Sequence, residues 1–166
     1  MIYCLPLFRN VWTGDETNQR FTAFTKSDSR KLQVLQNKVL RIRTGIDRYT
    51  RTSTLLNTSK ELSVNQLAAF HTLLIVHKAV KSGKPKTISE KLSVRIPTGE
   101  QIFPQRQINT IKTRRCHLAL SRGGFCQRGK KLWNKMPQEL RIIESYETFK
   151  KKMKKWVNQN VPIKPL

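Results

Sequence analysis

A chain of 166 residues with 33 Lys+Arg against 10 Asp+Glu carries a formal charge of +23, while 37% of its residues are hydrophobic. That length suits one domain able to bury roughly 70% of its unfolded surface, and so large an excess of one sign opposes compaction and favours a polyanionic partner, RNA or DNA phosphates foremost. Three cysteines (Cys4, Cys116 and Cys126) are too few for a disulfide scaffold, which points to a reducing intracellular setting, and no apolar run approaches the roughly 18 residues of a membrane span.

Residues 1–30 read as a lead-in and loop. Residues 1–12 are apolar and are expected to be buried, and their abrupt start suggests a truncated chain. The stretch is a poor secretion signal, because Pro6 breaks it and no basic segment precedes it. Residues 14–29 are polar, then rich in Thr and Ser, and read as a loop.

Residues 31–44 form the first predicted helix. Leu32, Leu35, Val39 and Ile42 make one apolar stripe, which assigns Leu35 and Val39 to packing. Ser27, Asp28 and Ser29 can each cap its start, and Gly45 can stop it. A short helix near residues 53–57 links it to a second long one over residues 63–81. There Ser63 and Gln66 spell a capping box and Gly83 with Pro85 marks the end. Its apolar residues, Leu74 among them, spread around most of the circumference, so it is expected to be central. Residues 84–126 lack a helical period and read as a long, irregular basic loop, with one short strand or hairpin near residues 117–120. A short helix over 127–135 is stopped by Pro137. The last helix, 144–158, starts at Ser145 and carries Phe149, Met153 and Trp156 on one face, with Lys150, Lys151, Lys152, Lys154 and Lys155 around the rest. Residues 159–166 hold two prolines and are expected to fray.

The charge is uneven. Residues 112–155 carry 14 basic and 3 acidic groups, a net +11. A phosphate-facing surface is therefore expected there, from Arg114, Arg115, Arg122, Arg128, Lys130, Lys131, Lys150, Lys151, Lys154 and Lys155. A merely solvated face is the ordinary alternative for such a lysine run, and a membrane-surface helix a third.

Catalysis is not expected. A polymerase or nuclease needs carboxylates converging on metal ions, and Asp15, Asp28 and Asp47 sit singly. His71 and His77, six apart on one helix, fall on different faces. Cys116, His117 and Cys126 match no common zinc spacing. Neither Arg122-Gly123-Gly124 nor Arg128-Gly129-Lys130 matches a nucleotide-binding loop. No cofactor, metal or catalytic residue is assigned.

Several strings resemble the region after the polymerase core of jockey-like, non-LTR (LINE-type) retrotransposon reverse transcriptases. Residues 32–45, LQVLQNKVLRIRTG, are similar to that family's LQ-LQNKALRIITG segment, and 49–56, YTRTSTLL, to its RTHTNPLF stretch. Residues 67–81 look like LYKLQLLLFMYK. Thr113-Arg114 matches a Thr-Arg pair in the family's basic loop. Residues 129–137, GKKLWNKMP, resemble G-KLWNSLP, and 149–156, FKKKMKKW, the closing FKKKLKKYL. The matches follow family order over residues 28–158. His77 departs from it, standing where the family has a large apolar or aromatic residue, as do the extra residues 14–29.

The resemblance implies a helical domain, residues 31–158, that follows a missing upstream polymerase domain and helps grip template–primer or target at a nicked chromosome, which places it in the nucleus. It makes Trp133 and Pro137 packing residues, while Phe149 and Trp156 read as core anchors from the apolar face they share on the last helix. The expected fold is all-α, a bundle of four or five helices with a basic loop over 84–126. The expected function is non-specific RNA or DNA binding within an RNA-directed DNA polymerase, with no catalysis by the isolated chain. A host RNA-binding or chromatin protein, a protein–protein docking module and a decayed element are the alternatives.

Overall fold

Ser63 shows how closely local chemistry sets this fold. Its hydroxyl accepts from the Gln66 amide, and the Gln66 side chain accepts from the Ser63 amide at 3.0 Å. This reciprocal cap satisfies two donors that a helix start otherwise strands. In the computed structural model, which describes residues 26–92, 94, 109–113 and 124–163, the chain is all-α. The helices are α1 (Lys26–Thr44), α2 (Thr52–Ser59), α3 (Val64–Ser82), α4 (Lys86–Ser89), α5 (Phe125–Lys135), α6 (Gln138–Ile142) and α7 (Tyr146–Asn160). Five of them have eight or more residues, and among the described residues there is no strand.

The capped helix α3 is central, as its all-round apolar surface predicts. Leu73 and Val76 are fully buried, and Leu74 nearly so. Gly83 closes it at φ 66°, a left-handed position that glycine adopts without a Cβ penalty. Helices α5 and α7 lean on α3 and close the main core with Trp133, Met136, Phe149, Met153 and Val157, all at 1% exposure or less. Close approach of α5 depends on Gly129, because a Cβ there would stand 2.9 Å from Val76 Cγ2.

Gln66 has a second task. Its Nε2 donates to the carbonyls of Asn158 (3.3 Å) and Val161 (3.0 Å), tying the start of α3 to the end of α7. The tail is accordingly not frayed from residue 159. Helix α7 runs to Asn160, Asn65 donates to the Pro162 carbonyl at 2.9 Å, and Ile163 packs against a second small core of Leu40, Leu55 and Leu56. Residues 164–166 lie outside the described residues.

Three further expectations about helix ends and faces are corrected. Helix α1 begins at Lys26, so Ser27, Asp28 and Ser29 lie inside its first turn rather than capping it. The stripe meant to pack faces outward: Leu35 is 54%, Val39 38% and Ile42 85% exposed. The face of α1 turned to the protein is instead largely polar, with Leu40 as its buried apolar anchor. Gln33 Oε1 accepts from the Val64 amide (3.0 Å), Gln36 donates to the Leu62 carbonyl (2.8 Å) and Asn37 to the Thr52 hydroxyl (3.0 Å). The two Gln bonds serve backbone groups at and just before the start of α3, and the Asn37 bond ties α1 to the first residue of α2, which is why amides won over leucines there. Pro137 is exposed and not a packing residue. It ends α5, because the residue before a proline is pushed to extended backbone, and it opens α6.

The region read as a long irregular loop contains α4 and one antiparallel bridge, Val94 to Ile111. Residues 95–108 and 114–123, including the strand expected at 117–120, lie outside the described residues.

Candidate nucleic-acid interface

Helix α7 is organised by three apolar residues and a cap. Ser145 accepts from the Thr148 amide, and Phe149, Met153 and Val157, four apart, turn wholly inward, with Trp156 half-buried beside them. The remaining arc belongs to lysine: Lys150, Lys151, Lys152, Lys154 and Lys155 are all exposed. Lys150 with Lys154 and Lys151 with Lys155 are i,i+4 pairs of like charge, each costing an isolated helix about 0.2–0.5 kcal/mol. Glu147 lies one turn before Lys151, but the one ion pair among the described residues is elsewhere, Arg43 to Glu61 at 3.3 Å.

Helix α5 adds cations of a different kind. Lys131 and Lys135 point away from the core, Lys130 is half-buried, and Arg128 donates to Asn65 at 3.3 Å while burial lowers its pKa from that of a free guanidinium. Arg128 is thus partly committed to holding α5 on α3. Arg114, Arg115 and Arg122 lie outside the described residues. The structure therefore brings the predicted lysines onto two helix surfaces and leaves those three arginines unplaced.

Between the helices and the basic loop stands a latch whose polar half the sequence reading missed. Asn134 Oδ1 accepts from the Ile111 amide and its Nδ2 donates to the Ile111 carbonyl, both at 2.9 Å. The neighbouring Trp133 indole donates to the Asn109 carbonyl at 2.9 Å. Asn109 takes φ 57°, a left-handed position that Asn tolerates better than most residues. Two consecutive side chains of α5 thus fix residues 109–111, and exposed Lys112 and Thr113 follow directly. The signal available in sequence was the Trp-Asn dipeptide, which periodicity reads only as one buried and one flanking position.

His77 sits where α3, α5 and α7 meet. Its ring stacks on Phe149 at 4.0 Å and lies 6.4 Å from both Trp133 and Tyr146. Nε2 is 2.8 Å from the Ile143 carbonyl and must carry the proton, since a carbonyl only accepts. Nδ1 is buried with no partner among the described residues. Burial lowers the His77 pKa, the Ile143 bond raises it and Lys81 lowers it again, with a net fall. His71 is lowered as well, by burial and then by Lys150. An unfolded histidine takes up its proton near pH 6.5 and the folded one at lower pH, so the unfolded state binds more protons in that window. Stability is expected to be full above about pH 6.5 and to fall as pH drops below it. In urea titrations across pH 7.5 to 5, His77→Phe should flatten part of that fall, and an unchanged slope would remove His77 as its source.

Among the described residues no three of His, Cys, Asp and Glu come together as metal ligands, and no helix is long and apolar enough to cross a membrane. Cys4, Cys116 and His117 lie outside the described residues, and Cys126 is a half-buried free thiol.

The fold and surface define a class: a small all-α module with lysine-covered outer helix faces. No protein-family model matches the chain, and no curated protein and no solved structure matches it to a significant degree.

Proposed function

We propose that this chain grips the phosphate backbone of RNA or DNA without reading sequence, as a post-polymerase module of a jockey-like reverse transcriptase. The observation that carries the binding reading is the outer arc of α7. Five exposed lysines share it, two like-charge pairs repel each other along it, and no ion pair among the described residues relieves them. A polyanion converts that repulsion into binding, because each phosphate neutralised releases a condensed counterion. Such contacts position a strand and carry no sequence information. The retrotransposon part rests on the ordered string resemblance. In that reading Lys130 and Lys131 of α5 extend the cationic surface, and the Trp133–Asn134 latch sets where the basic loop leaves the helices.

The test is a set of binding titrations of the full chain with labelled RNA, duplex DNA and an RNA–DNA hybrid. The logarithm of the binding constant should fall linearly with the logarithm of salt, with a slope of about 0.9 per phosphate contacted on a duplex. Random and element-derived sequences should bind alike. Absence of binding at about 50 mM salt, or an affinity indifferent to salt, would sink the reading.

A further inference from the structure

Helix α1 wears its amphipathicity inside out. Its inner face meets the protein through Gln33, Gln36 and Asn37, whose amides bond to α2 and to the segment opening α3. Its outer face presents Val34, Leu35, Val39 and Ile42 to solvent, with 53%, 54%, 38% and 85% of their surfaces exposed. Leu35, Val39 and Ile42 fall within about 60° of one another at 100° per residue, so they form one stripe rather than scattered positions. A continuous apolar stripe opposite a polar docking face marks a surface that something covers.

We infer that the occupant is the chain's own apolar N-terminal stretch, residues 1–12. Three observations favour it over a second copy. The first is charge. Residues 1–25 hold Arg9 and Arg20 against Asp15 and Glu16, a net of zero in a chain of +23. Two copies of α1 pressed together would bring Lys31 and Lys38, which share the stripe's side, against their counterparts. Residues 1–12 bring the single basic side chain Arg9, and Asp15 and Glu16 in the adjoining tether offset it and suit those lysines. The second is composition. Ile2, Leu5, Leu7, Phe8, Val11 and Trp12 supply the aliphatic and aromatic surface that the stripe lacks. The third is reach. Residues 13–25 join this stretch to Lys26, the first residue of α1. They span up to about 43 Å when extended, whereas Ile42 lies only about 24 Å along the helix from Lys26. The tether keeps the stretch at an effective concentration in the millimolar range, an advantage that no separate copy has.

The test uses the full chain with Cys116→Ser and Cys126→Ser, so that Cys4 alone takes a nitroxide spin label. Methyl NMR signals of Leu35, Val39 and Ile42 should be broadened by the label, and those of Val76 in the main core much less. The broadening should persist at tenfold dilution. It should vanish when label and isotope reside on different molecules, and at the remaining Ile42 reporter it should be lost in Leu35→Glu/Val39→Glu, whose sites are exposed and leave the core intact. Absent broadening would overturn the proposal and leave the stripe to a separate partner. Broadening seen only between molecules would overturn it in favour of self-association.

Discussion

Trp133→Ala should lower the free energy of unfolding by about 3–5 kcal/mol, as removal of a fully buried large aromatic side chain does elsewhere. Total stability of a domain this size is about 5–15 kcal/mol, so the loss is a large fraction of it. The indole is 0% exposed and touches both His77 and Phe149. Its removal therefore opens a cavity where α3, α5 and α7 meet. It also strips the Asn109 carbonyl of its donor. Trp133→Phe separates the two effects. It keeps one aromatic ring in the core and loses the pyrrole ring with its N–H, which should cost about 1–3 kcal/mol for the unpaired Asn109 carbonyl. Urea denaturation read by far-UV circular dichroism measures both variants. A Trp133→Ala midpoint within error of the parent would show that the three-helix junction does not hold the fold.

What made parts of this architecture legible was chemistry confined to neighbouring residues. The capping box of Ser63 and Gln66, the glycine stop at Gly83, the Ser145 cap and the inward Phe149–Met153 pair are decided within one turn of helix, and each stands where the sequence puts it. The failures share a different cause. The stripe of Leu35, Val39 and Ile42 is a real stripe, but periodicity tells which residues share a side and not which side is covered. That choice was made by long-range bonds from Gln33, Gln36 and Asn37 to residues 15–31 positions away. Asn134 and the second role of Gln66 escaped for the same reason, since their partners are backbone groups far along the chain. Pro137 was legible as a helix breaker but not as exposed, because a proline after a buried tryptophan can face either way. Of the candidate site, the lysine arc of α7 followed from sequence directly: once Phe149, Met153 and Val157 turn inward, helical geometry leaves the lysines no other place.

That same arc supports the largest expected effect on binding. Replacing Lys150, Lys151, Lys154 and Lys155 together with Gln should reduce the slope of log affinity against log salt by about 3–4, since each phosphate contact contributes about 0.9. Below 1 M salt each lost contact costs about 0.9 of a decade per decade of dilution, so at about 0.1 M the affinity should drop some 10³–10⁴-fold. The fold should not suffer. All four side chains are exposed, and removing two like-charge i,i+4 pairs should raise stability by a few tenths of a kcal/mol, about 0.2–0.5 for each pair. Loss of binding with an unchanged or higher melting temperature therefore separates contact from collapse. Net charge needs its own control, because a chain at +23 attracts any polyanion at long range. Lys78, Lys84, Lys86 and Lys91 are also exposed, near the far end of α3 and around α4. Their replacement by Gln removes the same four charges. If the arc of α7 is the grip, that control should lose far less affinity and keep most of the salt slope. Equal losses from the two variants would mean that the protein holds nucleic acid by its overall field, and that no particular helix face is the interface.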